Sequence, residues 1–320
     1  MQFLQNIKDG SLYIRDRHEL NSLEFLQDVD IQKLTVYECL NIQPKLNNNS
    51  IKELNLSVCA IKSIDDLHMN ALQSLILYFN KLTQIDHIVS FPLLKELDLS
   101  SNENINISPL QHLPLLVKLH MNDCGLKDIS VLQSLVNLKE LSIQQNAKID
   151  ISSLCKLTQI IKLFIGLCDL KYIDFLKFLV NLQEFSVYGN QVYTTQKVGF
   201  RRPNVHLTLQ ENNTNEKELT FNNIVSLDLG LCCLKQIPFI KVFTNLKELF
   251  LQENIGVDIT PLQNLKQLNK LVLLRVWTKQ HRRFEITQQF NGIRYMQKYK
   301  PRYNSITVLD WAYETKFNDL

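Results

Sequence analysis

The chain has 320 residues, of which 45% are hydrophobic, and its 35 Lys and Arg against 32 Asp and Glu give a formal net charge of +3. That charge is too small to imply a partner by itself, and no apolar run approaches the roughly 18 residues of a membrane-spanning helix. Residues 1–10 lack the basic head and apolar stretch of a secretory signal. We therefore expect a cytoplasmic or nuclear protein that does not enter a membrane.

One apolar pattern, L-x-x-L-x-L-x-x-N/C, recurs eleven times along the chain, and only the last copy lacks its N/C residue, with Val276 in that place. Most copies follow one another at steps of 22 residues, and a single gap of 42 residues follows the copy at Leu182. That gap holds a degenerate copy, which begins at Asn204 and keeps Leu207, Leu209 and Asn212. A fixed period in this range indicates a solenoid of stacked repeats. The copies begin at Ile31, Ile51, Leu72, Leu94, Leu116, Leu138, Ile160, Leu182, Ile224, Leu246 and Leu268.

Each copy is predicted to be a short strand followed by a turn of 3-10 or short helical structure. In the copy that begins at Leu116, Leu119 and Met121 alternate with His120, the period of two expected of a strand with one buried face. Apolar residues then recur at every third position, which suits a 3-10 turn. Such a unit cannot bury its apolar face alone, so neighbouring units must stack and their strands must pair in parallel. We predict a curved α/β solenoid of about twelve turns, with the sheet on its concave face and the 3-10 or short helical segments on its convex face.

Five of the seven cysteines occupy the N/C position of the pattern, where other copies carry asparagine. An amide in the buried bend after the strand can donate to and accept from backbone groups at once, and a thiol fills the same volume with a weaker bond. We predict free structural thiols and no zinc site, since no C-x-x-C or close Cys/His cluster occurs. Cys39 and Cys59 fall in adjacent repeats, and an oxidising compartment could bridge them. The cysteines at this position are Cys39, Cys59, Cys124, Cys168 and Cys232, and the asparagines are Asn80, Asn102, Asn146, Asn190, Asn212 and Asn254.

The two ends depart from the pattern, as terminal repeats must. Residues 1–30 place Arg17 at the N/C position and are predicted to form an N-terminal capping repeat, followed by a solenoid over residues 31–274. Residues 275–320 are rich in aromatic side chains and are predicted to form a C-terminal cap. Apolar residues at helical spacing predict a helix in that cap, through Ile286, Phe290, Ile293 and Met296.

Positive charge is concentrated in the predicted cap. Residues 275–302 hold eight Lys or Arg and one acid. This basic segment is either the solvated face of the cap or a contact for RNA or an acidic partner. The candidate contact residues are Arg282, Arg283, Lys298 and Lys300.

The framework positions of the pattern resemble those of the leucine-rich repeat family. The segment from Cys124 to Leu141 (CGLKDISVLQSLVNLKEL) matches, at every framework position, the 22-residue subclass typified by the regulatory subunit of type 1 protein phosphatase. Internalin-like repeats and a spliceosomal leucine-rich subunit are similar. The resemblance covers roughly residues 9–274 and implies a leucine-rich repeat solenoid that binds a partner, with a phosphatase-regulator role as one candidate.

The variable positions beside the strand leucines are predicted to line the concave face. They mix Lys with Glu, which argues against a nucleic-acid groove, because such a groove needs a basic field. The aromatic side chains among them have no packing role in the predicted fold, and exposed aromatics on a rigid surface are frequent anchors of protein interfaces. The predicted protein-binding residues are Ile76, Tyr78, Phe79, His120, Asn122, Gln144, Phe164, Leu167, Tyr188, Gln210 and Phe250.

Motifs for catalysis do not appear in the sequence. Gly166, Gly189 and Gly230 are isolated, the seven histidines form no close pair, and no Ser lies in a nucleophile elbow. We therefore expect a monomeric, non-catalytic scaffold or regulatory subunit, without cofactor or metal, that binds a phosphatase or other signalling protein on its concave face. The alternative is a ribonucleoprotein component whose basic C-terminal segment contacts RNA, and a steep salt dependence would distinguish it.

Overall fold

The computed structural model describes residues 4–170, 174–190, 221–234, 237–254, 257–273 and 294–296. Within these residues, thirteen strands form one parallel sheet and two further strands form a small separate sheet. The strands are β1 (Ser11–Arg15), β2 (Lys33–Tyr37), β3 (Leu46–Asn47), β4 (Glu53–Asn55), β5 (Leu67–His68), β6 (Ser74–Ile76), β7 (Glu96–Asp98), β8 (Lys118–His120), β9 (Glu140–Ser142), β10 (Lys162–Phe164), β11 (Glu184–Ser186), β12 (Ser226–Asp228), β13 (Glu248–Phe250), β14 (Lys270–Val272) and β15 (Arg294–Met296).

Parallel pairing of equivalent residues holds the large sheet together. Leu97 of β7 pairs with Leu119 of β8, which pairs with Leu141 of β9, and each step is one repeat. These leucines are almost completely buried, because alternate residues of a strand point to opposite faces and the inward face meets the core. The predicted leucine-rich repeat solenoid, with its parallel sheet, is confirmed.

The sheet continues across the 42-residue step without an intervening strand. Glu184 of β11 pairs directly with Ser226 of β12. β11 and β12 therefore occupy each other's hydrogen-bonding edge. The degenerate copy, residues 204–212, lies outside the described residues.

In the described part of the chain, seven five-residue 3-10 turns follow the strands on the other side of the solenoid, as the spacing of three predicts. Several are started by a side chain that accepts a hydrogen bond from the backbone N–H two residues later, as in Asp150 Oδ1 with Ser152 N at 2.9 Å. Short polar side chains favour turns for this reason. The turns are Asp86–Ser90, Ser108–His112, Ser130–Ser134, Ser152–Lys156, Asp174–Phe178, Pro238–Val242 and Thr260–Asn264, and shorter ones lie at Leu4–Asn6 and Glu24–Leu26.

The buried asparagines connect consecutive repeats as the N/C position predicts. Asn146 is completely buried. Its Nδ2 donates to the carbonyl oxygens of Met121 and Ile143, at 2.8 Å each. Its Oδ1 accepts from the backbone N–H groups of Cys124 (3.1 Å) and Leu126 (3.0 Å). One side chain therefore satisfies four backbone groups, three of them in the preceding repeat.

The buried cysteines supply only the donor part of this hydrogen-bonding pattern. Cys124 Sγ donates to the carbonyl oxygen of Leu99 in the preceding repeat at 3.2 Å. All seven cysteines are free thiols, and burial raises the pKa of Cys124 to about 11. The thiols at this position are therefore protonated donors at neutral pH, in agreement with their predicted structural role.

A second row of asparagines, which the sequence reasoning missed, connects the repeats on their return side. Each donates from Nδ2 to a backbone carbonyl of the preceding repeat, as Asn137 does to Pro114 at 2.8 Å. The equivalent pairs are Asn181 with Thr158, Asn223 with Val180 and Asn245 with Asn222. The solenoid is therefore cross-linked by side chains along two edges as well as by its sheet.

One prediction for the C-terminal end is contradicted. Met296 was predicted on a helix, but Arg294–Met296 is β15, and Arg294 pairs with Lys270 of β14. Apolar spacing in a short segment does not distinguish helix from strand, and the open edge of β14 offers unpaired N–H and C=O groups that a further strand can satisfy. The remainder of the predicted cap lies outside the described residues.

The hydrogen bonds of Asn146 predict an ordered series of stabilities. Asn146→Leu leaves buried backbone groups without partners and should lower the free energy of unfolding by about 2 kcal/mol or more. Asn146→Cys keeps a donor toward the preceding repeat and should cost clearly less. Chemical denaturation of the two purified variants measures the difference, and equal losses would contradict this account of the Asn/Cys position.

Candidate functional site

The concave face is built from two outward positions on each strand and from two further positions in the bend that follows it. We call these positions columns a to d in chain order; in the repeat of β8 they are Lys118, His120, Asn122 and Asp123. Because the strands pair in register, residues of one column lie side by side on neighbouring strands, about 4.8 Å apart. A ligand that crosses the sheet therefore meets one residue of each column per repeat.

Column a is a row of lysines and glutamates that pair with each other. Nζ of Lys162 lies 2.7 Å from Oε1 of Glu184, and Nζ of Lys118 lies 3.2 Å from Oε1 of Glu140. The same arrangement joins Lys33 to Glu53 and Lys270 to Glu248. The lysines of the concave face are thus largely neutralised by their neighbours within the sheet.

His120 links two repeats at the centre of the face. Its Nε2 lies 2.9 Å from Glu140 Oε1, and its Nδ1 lies 4.0 Å from Asp98 Oδ2. The hydrogen bond from His120 and the charge of Lys118 lower the pKa of Glu140 to about 2, against the opposing effect of burial. His120 is therefore a positioned member of a polar network and not an isolated surface residue.

Asn122 and Gln144, both predicted to bind, belong to a second part of that network. Asn122 Oδ1 accepts from Ser142 Oγ at 2.7 Å and from the backbone N–H of Gln144 at 2.8 Å. The side chain of Gln144 donates to Ser142 Oγ at 3.3 Å. These polar groups are already hydrogen-bonded to one another, so the centre of the face is ordered without a ligand.

Three apolar residues form an N-terminal apolar patch on one side of the polar network: Ile76, Tyr78 and Phe79. The rings of Tyr78 and Phe79 lie with their centroids 5.9 Å apart. Phe79 is 57% exposed, the larger part of its ring therefore facing solvent. The structure thus brings these predicted residues together on adjacent positions of one repeat.

Phe164, Leu167 and Tyr188 form a C-terminal apolar patch on the other side of the polar network. Leu167 lies over Gly189: a Cβ on that glycine would lie 2.4 Å from Leu167 Cδ2. Tyr188 lies over Gly230, whose Cβ would approach Tyr188 Cδ2 to 2.8 Å. The glycines that looked isolated in the sequence therefore leave the space in which these side chains lie.

Three of the aromatic residues of the concave face are less exposed than predicted. Phe164 and Tyr188 are partly buried rather than fully exposed, and the Tyr188 ring lies over Gly230. Phe250 carries Nζ of Lys270 over its ring, 4.8 Å from the centroid. Phe250 already has a cation on one face and is therefore less available to a partner than the two patches.

Column d has left-handed backbone in every repeat from β2 to β13, yet Gly189 is its only glycine. Phe79 has φ of 54°, Leu167 has 57° and Val58, a β-branched residue, has 57°. Residues with a Cβ are strained in this region, by about 1 kcal/mol or more for bulky side chains. The fold requires the conformation, but it does not require an apolar side chain there.

Asp228 and Gln252 form a polar recess, which the sequence reasoning missed, beside the C-terminal apolar patch. Asp228 Oδ1 accepts from the backbone N–H of Gly230 at 2.9 Å and from Gln252 Nε2 at 3.3 Å, and Oδ2 accepts from Ser186 Oγ at 3.2 Å. Burial raises the pKa of Asp228. The sequence signal is an acid in column b followed by a glycine in column c, a pattern that leaves room for side chains of the neighbouring repeats beside the acid.

Five of the predicted contact residues lie outside the described residues. They are Gln210, Arg282, Arg283, Lys298 and Lys300.

Within the described part of the chain, no group of three or more His, Cys, Asp or Glu side chains could hold a metal ion. No helical segment of that part has the length and apolarity needed to cross a bilayer.

Comparison with solved structures identifies the same architecture in other proteins. An internalin from Listeria monocytogenes superposes with a TM-score of 0.65 at 18% identity, over 92% of this chain and 87% of that one. A leucine-rich repeat protein from Leptospira interrogans gives 0.52 at 18% identity, over 92% and 93%. The receptor of the TLR13–ssRNA13 complex gives 0.57 at 17% identity, over 85% of this chain and 44% of that one.

These likenesses are structural, and at such low identity they establish the leucine-rich repeat fold alone. No protein-family model and no curated protein sequence matches the chain. The comparisons do not single out the phosphatase-regulator subclass. The residues of the concave face must therefore carry the argument about function.

The hydrogen bond between His120 and Glu140 predicts a stability that depends on pH. The pKa of Glu140 falls from 4.5 to about 2 on folding, so its contribution is present above pH 4.5 and is lost as the pH falls toward 2. Glu140→Gln should cost about 1–2 kcal/mol at pH 5 and much less at pH 2, as measured by urea denaturation. Glu53→Gln, in the more exposed pair with Lys33, is the control and should show little change with pH. An equal pH effect in both variants would refute the assignment.

Proposed function

We propose that this chain is a non-catalytic scaffold or regulatory subunit that binds a partner protein across its concave face. The observation that carries the proposal is the pair of apolar side chains, Phe79 and Leu167, at left-handed column d positions. Both are substantially exposed, at 57% and 38%. Glycine or asparagine would relieve the backbone at these positions, so the apolar side chains are a cost to folding. Strain that the fold does not need supports a role in binding.

The arrangement of the two patches supports an extended contact. The N-terminal apolar patch follows β6 and the C-terminal apolar patch follows β10, four strand spacings away, or about 19 Å. Between them lies the polar network of His120, Asn122 and Gln144, which is hydrogen-bonded internally. Apolar anchors around an ordered polar centre are typical of protein interfaces. A partner that reached both patches would cover the middle of the sheet.

RNA is a weaker candidate for this face. The lysines of column a are paired with glutamates, and the other columns carry no lysine or arginine from β2 to β13. A phosphate backbone needs a basic field that these positions do not supply. The receptor in the TLR13–ssRNA13 complex shares the fold, which hosts many binding roles. The basic residues of the predicted cap stay the place where an RNA contact would be sought.

Site-specific crosslinking tests the proposal. A photoreactive phenylalanine analogue is placed at Phe79 or at Leu167, and the full chain is irradiated in lysate of its source. The matched control carries the analogue at Val136, which is 65% exposed on the return side of its repeat. Protein adducts from the two concave positions, and none from Val136, are expected. Adducts that vanish on ribonuclease treatment would favour RNA, and equal labelling from all three sites would refute the concave face.

The left-handed column makes a prediction that needs no partner. Phe79→Gly removes an exposed ring and relieves the strained backbone, so it should leave the free energy of unfolding unchanged or raise it by about 1 kcal/mol. Gln145→Gly, at φ of 60° in the same column but outside both patches, is the control and should have a similar effect on stability. Only Phe79→Gly should weaken binding to the crosslinked partner. A large loss of stability in Phe79→Gly would show that the ring belongs to the core.

A further inference from the structure

Outside column a, the concave face carries acidic side chains and, among the described residues from β2 to β13, His120 is its only basic residue. From β2 to β13, columns b to d carry five carboxylates and neither lysine nor arginine. Glu38 is paired with Arg15 at 3.1 Å. Asp98, Asp123 and Asp228 form no ion pair with a lysine or arginine among the described residues. A protein surface of one sign attracts partners of the other and fixes their orientation.

Asp228 is the member of this set that lies in a shaped recess. Gly230, in the bend after β12, has no side chain, and the side chains of Gln252 and Tyr188 occupy the space above it, beside Asp228. The carboxylate already accepts three hydrogen bonds, all from neutral donors. Its negative charge is therefore held in place without a counter-charge among the described residues.

Gln252 supplies a second, independent observation at the same place. The side chain is only 3% exposed, and its Nε2 donates to Asp228. Its Oε1 is buried and has no hydrogen-bond partner among the described residues. A buried acceptor without a donor is unfavourable, and few exist in folded proteins. The recess therefore has more acceptors than donors, and a ligand that brings N–H groups would correct the imbalance.

We infer that the partner in the proposed function presents a lysine or arginine side chain to the recess of Asp228, Gln252 and Tyr188, with an apolar side chain two or three residues away on the C-terminal apolar patch. The inference rests on that proposed function. Phe164 lies two strand spacings from Asp228, or about 10 Å, which an extended chain covers in about three residues. The partner is thus a basic polypeptide segment, since an ammonium or guanidinium group offers donors and positive charge together.

A positional-scanning array of capped heptapeptides tests this with the full chain as the labelled probe. Peptides with lysine or arginine two or three residues from a leucine or phenylalanine should bind at least about tenfold more strongly than their glutamate counterparts. Asp228→Asn should reduce that preference to less than about threefold. Asp150→Asn is the matched control, because Asp150 Oδ1 also accepts the N–H two residues on at 2.9 Å but lies beside a 3-10 turn. It should keep the full preference.

A second variant covers the case in which Asp228→Asn disturbs the fold. Gly230→Ala leaves the carboxylate in place but inserts a Cβ 2.4 Å from Gln252 Nε2, so it should displace the Gln252 amide from Asp228 and lower the preference for basic peptides. Near-ultraviolet circular dichroism of both variants checks their packing. Equal binding of basic and acidic peptides, or of no peptide at all, would overturn the inference, as would a preference retained in folded Asp228→Asn and Gly230→Ala. Selection of apolar peptides without regard to charge would overturn it and leave the proposed function standing, whereas failure of the Phe79 crosslinks would count against the proposed function itself.

Discussion

Everything in this solenoid depends on satisfying the backbone groups of the bend that follows each strand. The bend is buried, so its N–H and C=O groups cannot reach water. Backbone hydrogen bonds between repeats continue only as far as pairs such as Asp123 N–H with the Gln144 carbonyl, at 2.9 Å, and the groups beyond them need side-chain partners. Asn146 makes hydrogen bonds to four of these groups, which belong to two consecutive repeats. The same hydrogen bonds recur in each bend. This repetition sets the spacing of the repeats, the register of the strands and the direction of the outward columns. A concave face with ordered columns is a consequence of that repetition.

The sequence alone predicts the parts of the fold that repeat. The leucine spacing predicts the inward residues and the parallel register, because a strand has a period of two and a slip of one would expose every leucine. Departures from the repeat were not predictable in the same way. β11 pairs directly with β12 despite 42 residues between their equivalent positions, and Arg294–Met296 adds a strand where the apolar spacing suggested a helix. In both places the available edge of a neighbouring strand, which is a property of the assembled sheet, decides the outcome.

The sequence predicts which residues form the columns of the candidate site, but it does not predict how their side chains interact. The outward position of Phe79 follows from the leucines beside it, but its left-handed backbone does not, because sequence rules assign that conformation to glycine and asparagine. Gln252 illustrates a different limit. Its outward position predicts a solvated side chain, yet Gln252 is buried. Gly230 in the neighbouring repeat has no side chain, so Gln252 can lie over it and donate to Asp228. Its burial depends on a residue 22 positions away, and only the register makes the two neighbours.

The stiffness of the fold and the chemistry of its concave face are connected. Two rows of asparagines and a continuous sheet fix the columns, and the polar centre is hydrogen-bonded internally. Binding to such a face costs the protein little conformational entropy, because the surface is already ordered before contact. Affinity must then come from what the fold leaves unsatisfied. Those features are the exposed side chains of Phe79 and Leu167 at strained positions, and the charge of Asp228 beside the unpartnered Gln252 Oε1. The first pair gives burial of apolar surface and the second gives selection by charge, so the same solenoid can bind tightly and discriminate between partners.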